Sequence, residues 1–341
     1  MPPTSHAHAG AGDPAVRSQA AHAFYRLLNA DQTARPAVDV APPPSFFIVG
    51  APRCGTTTLS SALKDHPLIS FSKPKETQFF LLAPTDMPDE ELRATYLNLH
   101  HRELNADHLA LGDGSVSYLY APVAIREALR FDPRARFIAS VRNPLDLVPS
   151  HHARMLYTLE EDEPDLAQAW ALQASRAAGQ SIPARCRDAR VLQYGAFGRL
   201  GEHVERLFEV AGRERCLVIV YDDLARDLGA VYRQVLEFVG VPDDGRTKFS
   251  RKAENRGFKS PFLQQFVMNP PAWTLRLIQF SNGPMIRRLK RARRRLEEVN
   301  TFTRERPPLS AEMREVLRGY FAEDVRKLSA LLARDLTHWL A

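Results

Sequence analysis

The sequence predicts an α/β fold: a central parallel sheet flanked by helices, with a helical C-terminal extension. Two observations carry this. From Ser45 onward, short apolar runs alternate with segments of helical periodicity, the pattern of strand–helix units. One run, RCLVIVYDDL at 215–224, is so apolar that a strand there must be covered on both faces, as in a parallel sheet. The chain has 341 residues, 44% of them hydrophobic and 25% charged, which is ample for a buried core.

The elements follow in order. Residues 1–44 read as a disordered or linker segment: the first twenty are rich in Ala, Gly, His and Pro, 21–30 suit a short helix, and PAVDVAPPPS reads as extended. The core is expected over 45–260. SFFIVG (45–50) is a buried strand, TTLSSALKDH (57–66) a helix ended by Pro67, LISF (68–71) a second strand, and RFIASVR (136–142) a third. NPLDLVPSHHARMLY opens a helix after that strand, with Pro144 pre-setting its first turn. AFGRLGEHVERLFEVAG (196–212) carries Phe197, Leu200, Val204, Leu207, Phe208 and Val210 on one helical face, and 229–240 is helical again. Residues 261–341 form the extension. There Ser310 caps a long helix with an apolar face of Met313, Val316, Leu317, Tyr320, Phe321, Val325, Leu328, Leu331 and Leu332, expected to pack on the same domain.

Composition excludes several classes. No run approaches the roughly 18 apolar residues of a membrane span. The N-terminus lacks a basic stretch followed by an apolar core, and Cys54, Cys186 and Cys216 form neither a metal-ligand spacing nor a paired framework. A cytoplasmic protein without a metal is therefore expected. The balance of 46 basic to 40 acidic residues, +6 net, suits an anionic ligand but is no nucleic-acid signature.

The strongest local signal is FFIVGAPRCGTTTLSSAL (46–63). A strand ends in Gly50, a tight loop Ala51–Gly55 follows, and Thr56, Thr57 and Thr58 begin a helix. Glycines let backbone approach an anion, helix-start N–H groups point at it, and hydroxyls add donors. Gly50 and Gly55 have the spacing of a nucleotide-binding P-loop, but Thr56 stands where its Lys belongs, and the cation has moved into the loop as Arg53. The expected sheet is thus of the P-loop type, built for a phosphate-like anion without ordinary nucleotide hydrolysis. In SVRNPLDLVPSHH (140–152), Arg142 ends a strand and Ser150 follows eight residues on, so a guanidinium and a hydroxyl converge on one anion.

Together these segments resemble the sulfotransferases that use 3′-phosphoadenosine 5′-phosphosulfate (PAPS). The first is similar to the family's 5′-phosphosulfate loop and the second to its 3′-phosphate motif. GDGSVSYLY (112–120) and the stretch from Gln193 to Asp227 agree, so the resemblance covers roughly residues 45–260. It implies PAPS as sulfuryl donor, no metal, and an acceptor with a free hydroxyl, a small molecule or a glycan. It assigns Arg53 to the leaving phosphate, with Arg53, Cys54, Gly55, Thr56, Thr57 and Thr58 around the 5′ end and Arg142 and Ser150 at the 3′-phosphate. Glu76, in FSKPKETQFF, resembles the family's glutamate general base, with His66, Asp113, His151 and His152 as rivals. Lys259 is the preferred residue of a later, loosely matched cofactor loop, ahead of Arg251 and Lys252. Asp113-Gly114-Ser115 departs from the Glu-Lys-Ser of heparan-type members, which puts a polysaccharide acceptor in doubt.

Three features stand outside the resemblance. Cys54 lies beside Arg53 near a helix start, a setting that lowers a thiol pKa, although a packing role fits it better. Trp273, Phe262, Phe266, Leu275 and Leu277 read as core or lid. The basic run 286–298 reads as a solvated helix face, or as attraction to an anionic acceptor or membrane surface. Two other functions remain open: a nucleotide kinase on the same architecture, and a non-catalytic nucleotide-binding protein.

Overall fold

The computed structural model describes residues 41–249, 256–268, 283–303 and 308–341. The expected N-terminal helix and most of the linker, Arg251, Lys252, Trp273, Leu275 and Leu277 lie outside them.

Five strands form one parallel sheet: β1 (Ser45–Gly50), β2 (Ile69–Phe71), β3 (Ala110–Asp113), β4 (Arg136–Val141) and β5 (Cys216–Val220), in the order β2-β3-β1-β4-β5. The central strand β1 is buried at every position, because helices cover both faces. Phe47 lies opposite Asp113 on one side and Phe137 on the other.

The helices before β5 are α1 (Thr56–Lys64), α2 (Phe79–Leu82), α3 (Asp89–His100), α4 (Pro122–Phe131), α5 (Pro144–Thr158), α6 (Leu166–Ala171), α7 (Gln173–Ala177), α8 (Tyr194–Gly198) and α9 (Leu200–Ala211). After it come α10 (Tyr221–Arg226), α11 (Leu228–Val239), α12 (Pro261–Met268), α13 (Gly283–Asn300) and α14 (Ala311–Leu332). α1 and α11 cover one face around Leu59, Leu63, Tyr232 and Leu236. α3, α4, α9 and α14 cover the other around Tyr96, Phe131, Val204 and Phe321. A short antiparallel pair, β6 (Arg256–Phe258) and β7 (Thr301–Thr303), joins the segment before α12 to the end of α13.

Three expectations change. The helix expected over 196–212 breaks at Arg199 into α8 and α9. The side chain of Asp324 on α14 accepts from the N–H groups of Gly201 and Glu202 at 2.9 Å each, capping α9 from outside its own segment. The strand expected to reach Leu224 ends at Val220, and Tyr221–Arg226 turn helical with Asp222 and Asp223 in the first turn, where the helix dipole favours them. These acids are also gripped from the C-terminus: Trp339 Nε1 donates to Asp222, and Arg334 pairs with Asp223. On α14 the apolar face is narrower than expected, since Val316 and Tyr320 are exposed. Ser310 caps α14 by accepting from the Met313 N–H.

Candidate active site

In a parallel sheet the strands' carboxyl ends open into loops on one edge, and ligands bind there. The loops after β1, β2, β3 and β4 border one open cavity of about 2780 Å³ on that edge. Its walls include Arg53, Gly55, Thr56, Thr57, Thr58, Glu76, Arg142, His151 and His152.

The loop after β1 is fixed by backbone. Ala51 N–H donates to the Ser140 carbonyl at 2.8 Å, and the Ser140 hydroxyl donates to the Cys54 carbonyl at 2.6 Å, so β4 pins the loop at both ends. Gly55 caps α1 in the left-handed region, φ +81°, and a Cβ there would stand 2.2 Å from Leu224 Cδ2 and 3.2 Å from the Tyr221 ring. Only glycine fits both conformation and space. Arg53 is also left-handed, φ 68°, a conformation costly for an arginine that gathers at ligand sites. Among the described residues, the backbone N–H groups of Gly55, Thr56 and Thr57 have no acceptor. They form the donor-rich end of a helix.

The two arginines meet here. Arg53 Nε donates to Ser150 Oγ at 2.9 Å. Arg142 donates through Nη1 to the Arg53 carbonyl at 3.3 Å, lies 3.5 Å from Asp146, and stacks over Tyr221 with 4.5 Å from guanidinium carbon to ring centre. Its Nε is buried and has no partner among the described residues. Ser150 thus contacts Arg53 directly, rather than only sharing an anion with Arg142.

Glu76 also borders the cavity, partly exposed, with Lys75 Nζ 2.8 Å from Oε1. Its loop is stitched to the end of β3. Thr77 Oγ1 donates to Asp113 Oδ2 at 2.6 Å, Gly114 N–H to the Lys75 carbonyl at 3.0 Å, and Gln78 N–H to Ser115 Oγ at 3.0 Å. Asp113 is wholly buried and also accepts from Tyr96 and the Ser115 N–H, so it anchors this loop rather than facing the cavity. Burial pushes its carboxyl up, against those hydrogen bonds.

The other candidates separate. His66 does not line the cavity; it accepts from Leu68 N–H and donates to the Pro242 carbonyl. His151 is stacked on Phe197 with centroids 3.6 Å apart and donates through Nε2 to the Val191 carbonyl. Burial pushes it down to about 4, and its Nδ1 is buried with no partner among the described residues. His152 donates to the Glu163 carbonyl and is likewise lowered by burial. The Cys54 side chain is buried away from the cavity. Desolvation pushes its thiol up to about 12 despite Arg142 and Arg53, so the setting raises rather than lowers its pKa. Lys259 is exposed and lies outside the cavity wall; its N–H donates to the Asn300 carbonyl. Among the described residues no group of His, Cys, Asp or Glu side chains is arranged to hold a metal ion.

Two features were not legible beforehand. Tyr221 is the platform under Arg142 and the neighbour of Gly55, signalled only by its place after an apolar strand. A buried pair, Arg176 with both Glu161 oxygens at 2.7 Å, joined by Tyr194 OH at 2.6 Å, braces the wall formed by 159–193. Burial raises the Glu161 carboxyl, but the Arg176 and Tyr194 hydrogen bonds outweigh this and hold it below the ordinary range. Nothing in the local sequence marks three residues so far apart as partners.

A family model described as a sulfotransferase domain matches residues 43–261. Among curated proteins, the chain is 24% identical over 294 residues to the bifunctional heparan sulfate N-deacetylase/N-sulfotransferase 2 of Bos taurus, a match covering 85% of this chain. It spans about 30% of that relative's length. Among solved structures it is similar to a sulfotransferase from Alicyclobacillus acidocaldarius, with a TM-score of 0.60 and 25% identity, covering 89% of this chain and 100% of the other. It is also similar to the sulfotransferase domain of the curacin biosynthetic pathway, with a TM-score of 0.39 and 18% identity, covering 60% of this chain and 76% of that one. The family match takes in all five parallel strands and the loops bearing Arg53, Glu76 and Arg142; the chain belongs to the sulfotransferases.

Proposed function

We propose that this sulfotransferase moves a sulfuryl group from PAPS to an acceptor hydroxyl, with Glu76 as general base. The observation that carries the reading is one cavity bordered by both an anion cradle and a carboxylate. The residues fit an anionic nucleotide. The N–H groups of Gly55, Thr56 and Thr57 have no acceptor among the described residues, and Arg142 Nε is a buried donor without a partner there. Leaving such donors unpaired is unfavourable, and phosphate oxygens relieve it.

In this reading Arg53 and the α1 N-terminus hold the 5′-phosphosulfate, and Arg142 with Ser150 hold the 3′-phosphate. The acceptor oxygen forms a bond to sulfur as the bond from sulfur to the phosphate oxygen breaks. The proton passes to Glu76, and adenosine 3′,5′-bisphosphate leaves. Charge grows on the departing phosphate, where fixed donors stabilise it most. Lys75 Nζ, 2.8 Å from Glu76 Oε1, pairs with the carboxylate and fixes its position on the cavity wall. The acceptor is a small molecule or glycan bearing a hydroxyl. The cavity's size suits either, and the departure at Asp113-Gly114 favours an acceptor other than a long polysaccharide.

The test is incubation with sulfur-labelled PAPS and a panel of hydroxyl acceptors, scored by a mass gain of one sulfate and release of the bisphosphate. A sulfated product that disappears in Glu76→Gln supports the assignment. Product formation undiminished in that variant moves the base elsewhere, with His151 and His152, which border the same cavity, tried before the buried Asp113 and His66.

A further inference from the structure

We propose that the outer face of α13 docks on an anionic lipid surface, independently of the identity of donor or acceptor. α13 is an 18-residue helix, and its side chains repeat every 100° around the axis. Taking Arg288 as the origin, Val299, Arg295, Ala292, Arg291 and Leu296 all fall within roughly 80° of it. Every one of these is exposed. The opposite side carries buried Asn300, which donates to Ser260 and Gln264, and Glu297, which accepts from Tyr157. The helix is therefore anchored along one side and open along the other. The open arc contains three arginines, two large apolar residues and one acid, Glu298, about 80° from Arg288 on the side away from Leu296. Glu298 is paired with Arg294 at 3.1 Å, which offsets its charge at that edge of the arc. None of Arg288, Arg291 and Arg295 has an acidic partner among the described residues.

The apolar exposure is concentrated here. Val299 is 68% exposed and Leu296 36%, while Phe262 on the packed neighbour α12 is 79% exposed. Phe302, at the end of α13, is also exposed and forms part of the cavity wall. Arginines attract an anionic surface, and apolar side chains among them gain only if they enter an apolar phase. A soluble polyanion satisfies the arginines but offers nothing to Leu296, Val299 and Phe262. A bilayer satisfies both, which is why the lipid surface is favoured.

The test is co-sedimentation of the full chain with phosphatidylcholine vesicles, with and without about one third phosphatidylserine. Binding is expected only with the anionic lipid, and it should fall as salt rises. The triple variant Arg288→Gln, Arg291→Gln, Arg295→Gln should lose binding on the order of 10²-fold. All three residues are exposed, and an unchanged melting temperature verifies the fold. The pair Leu296→Ser and Val299→Ser should weaken vesicle binding while leaving retention on immobilised polyphosphate unchanged. Equal binding to neutral and anionic vesicles overturns the proposal, as does a triple variant that binds normally. Retention on polyphosphate without vesicle binding also overturns it, and makes the helix a polyanion site.

Discussion

Arg53 Nε donates to Ser150 Oγ across 2.9 Å, joining two residues 97 positions apart from the loop after β1 and the helix after β4. Arg142 closes the connection by donating to the Arg53 carbonyl. The two halves of the proposed donor site are thus coupled through protein contacts. A change in one half should be felt in the other.

Arg53→Ala should lower kcat more than donor affinity, by roughly 10²-fold, because its charge opposes one that develops mainly as the bond to sulfur breaks. Ser150→Ala should reproduce a smaller part of that loss by freeing the guanidinium it holds. Both are read as kcat with PAPS in excess. An Arg53→Ala enzyme of normal kcat removes the residue from the chemistry.

Glu76→Gln should bind adenosine 3′,5′-bisphosphate as well as the parent and turn over roughly 10²- to 10⁴-fold more slowly. Asp113→Asn should act through the same loop. It weakens the hydrogen bonds from Thr77 and Tyr96 that hold Glu76 in place. It should therefore reduce kcat while lowering the melting temperature, whereas Glu76→Gln leaves the melting temperature unchanged. Calorimetry and differential scanning separate the two.

The fold was legible because its signals are local. Four of the five parallel strands are short apolar runs, while β3, ALGD, carries no such signal, and the Ser310 cap lies one residue before its helix. What escaped was tertiary. Asp324 breaks a continuous helical pattern at Arg199 from more than a hundred residues away. Asp113 looked like a possible base and is an anchor, because its four-residue strand buries it in the sheet. Cys54 follows Arg53 in sequence and feels the charge of Arg142 as well, yet desolvation outweighs both. The order of loops around the cavity follows from sheet order, which no single segment encodes.

Gly55→Ala should cost about 1–2 kcal/mol for the left-handed backbone alone, with the clash against Leu224 added. At this chain length each kcal/mol lowers the melting temperature by roughly 1–2 °C. Removing the clash with Leu224→Ala should recover only part of the loss, because the φ penalty stays. Full recovery would assign the whole effect to space.

Stability should fall as pH drops below neutrality. Burial lowers His100 and His151 to about 4 and His101 to about 3 in the folded chain, against 6.5 unfolded. The unfolded chain therefore binds more protons between pH 6.5 and about 4, and folding loses free energy as pH falls through that window. The melting temperature should be flat above pH 7 and decline below 6.5, with a shallower decline in His151→Gln. An unchanged melting temperature down to pH 4.5 contradicts buried neutral histidines.

The most direct measurement needs no acceptor. Titration calorimetry compares adenosine 3′,5′-bisphosphate with AMP, which lacks only the 3′-phosphate. A charge-assisted contact of this kind is worth about 1.5–3 kcal/mol, so the bisphosphate should bind roughly 10- to 100-fold more tightly, and Arg142→Ala should erase the difference. Equal affinities for the two nucleotides, or a preference that survives in Arg142→Ala, would contradict a PAPS site built on Arg53, Arg142 and Ser150.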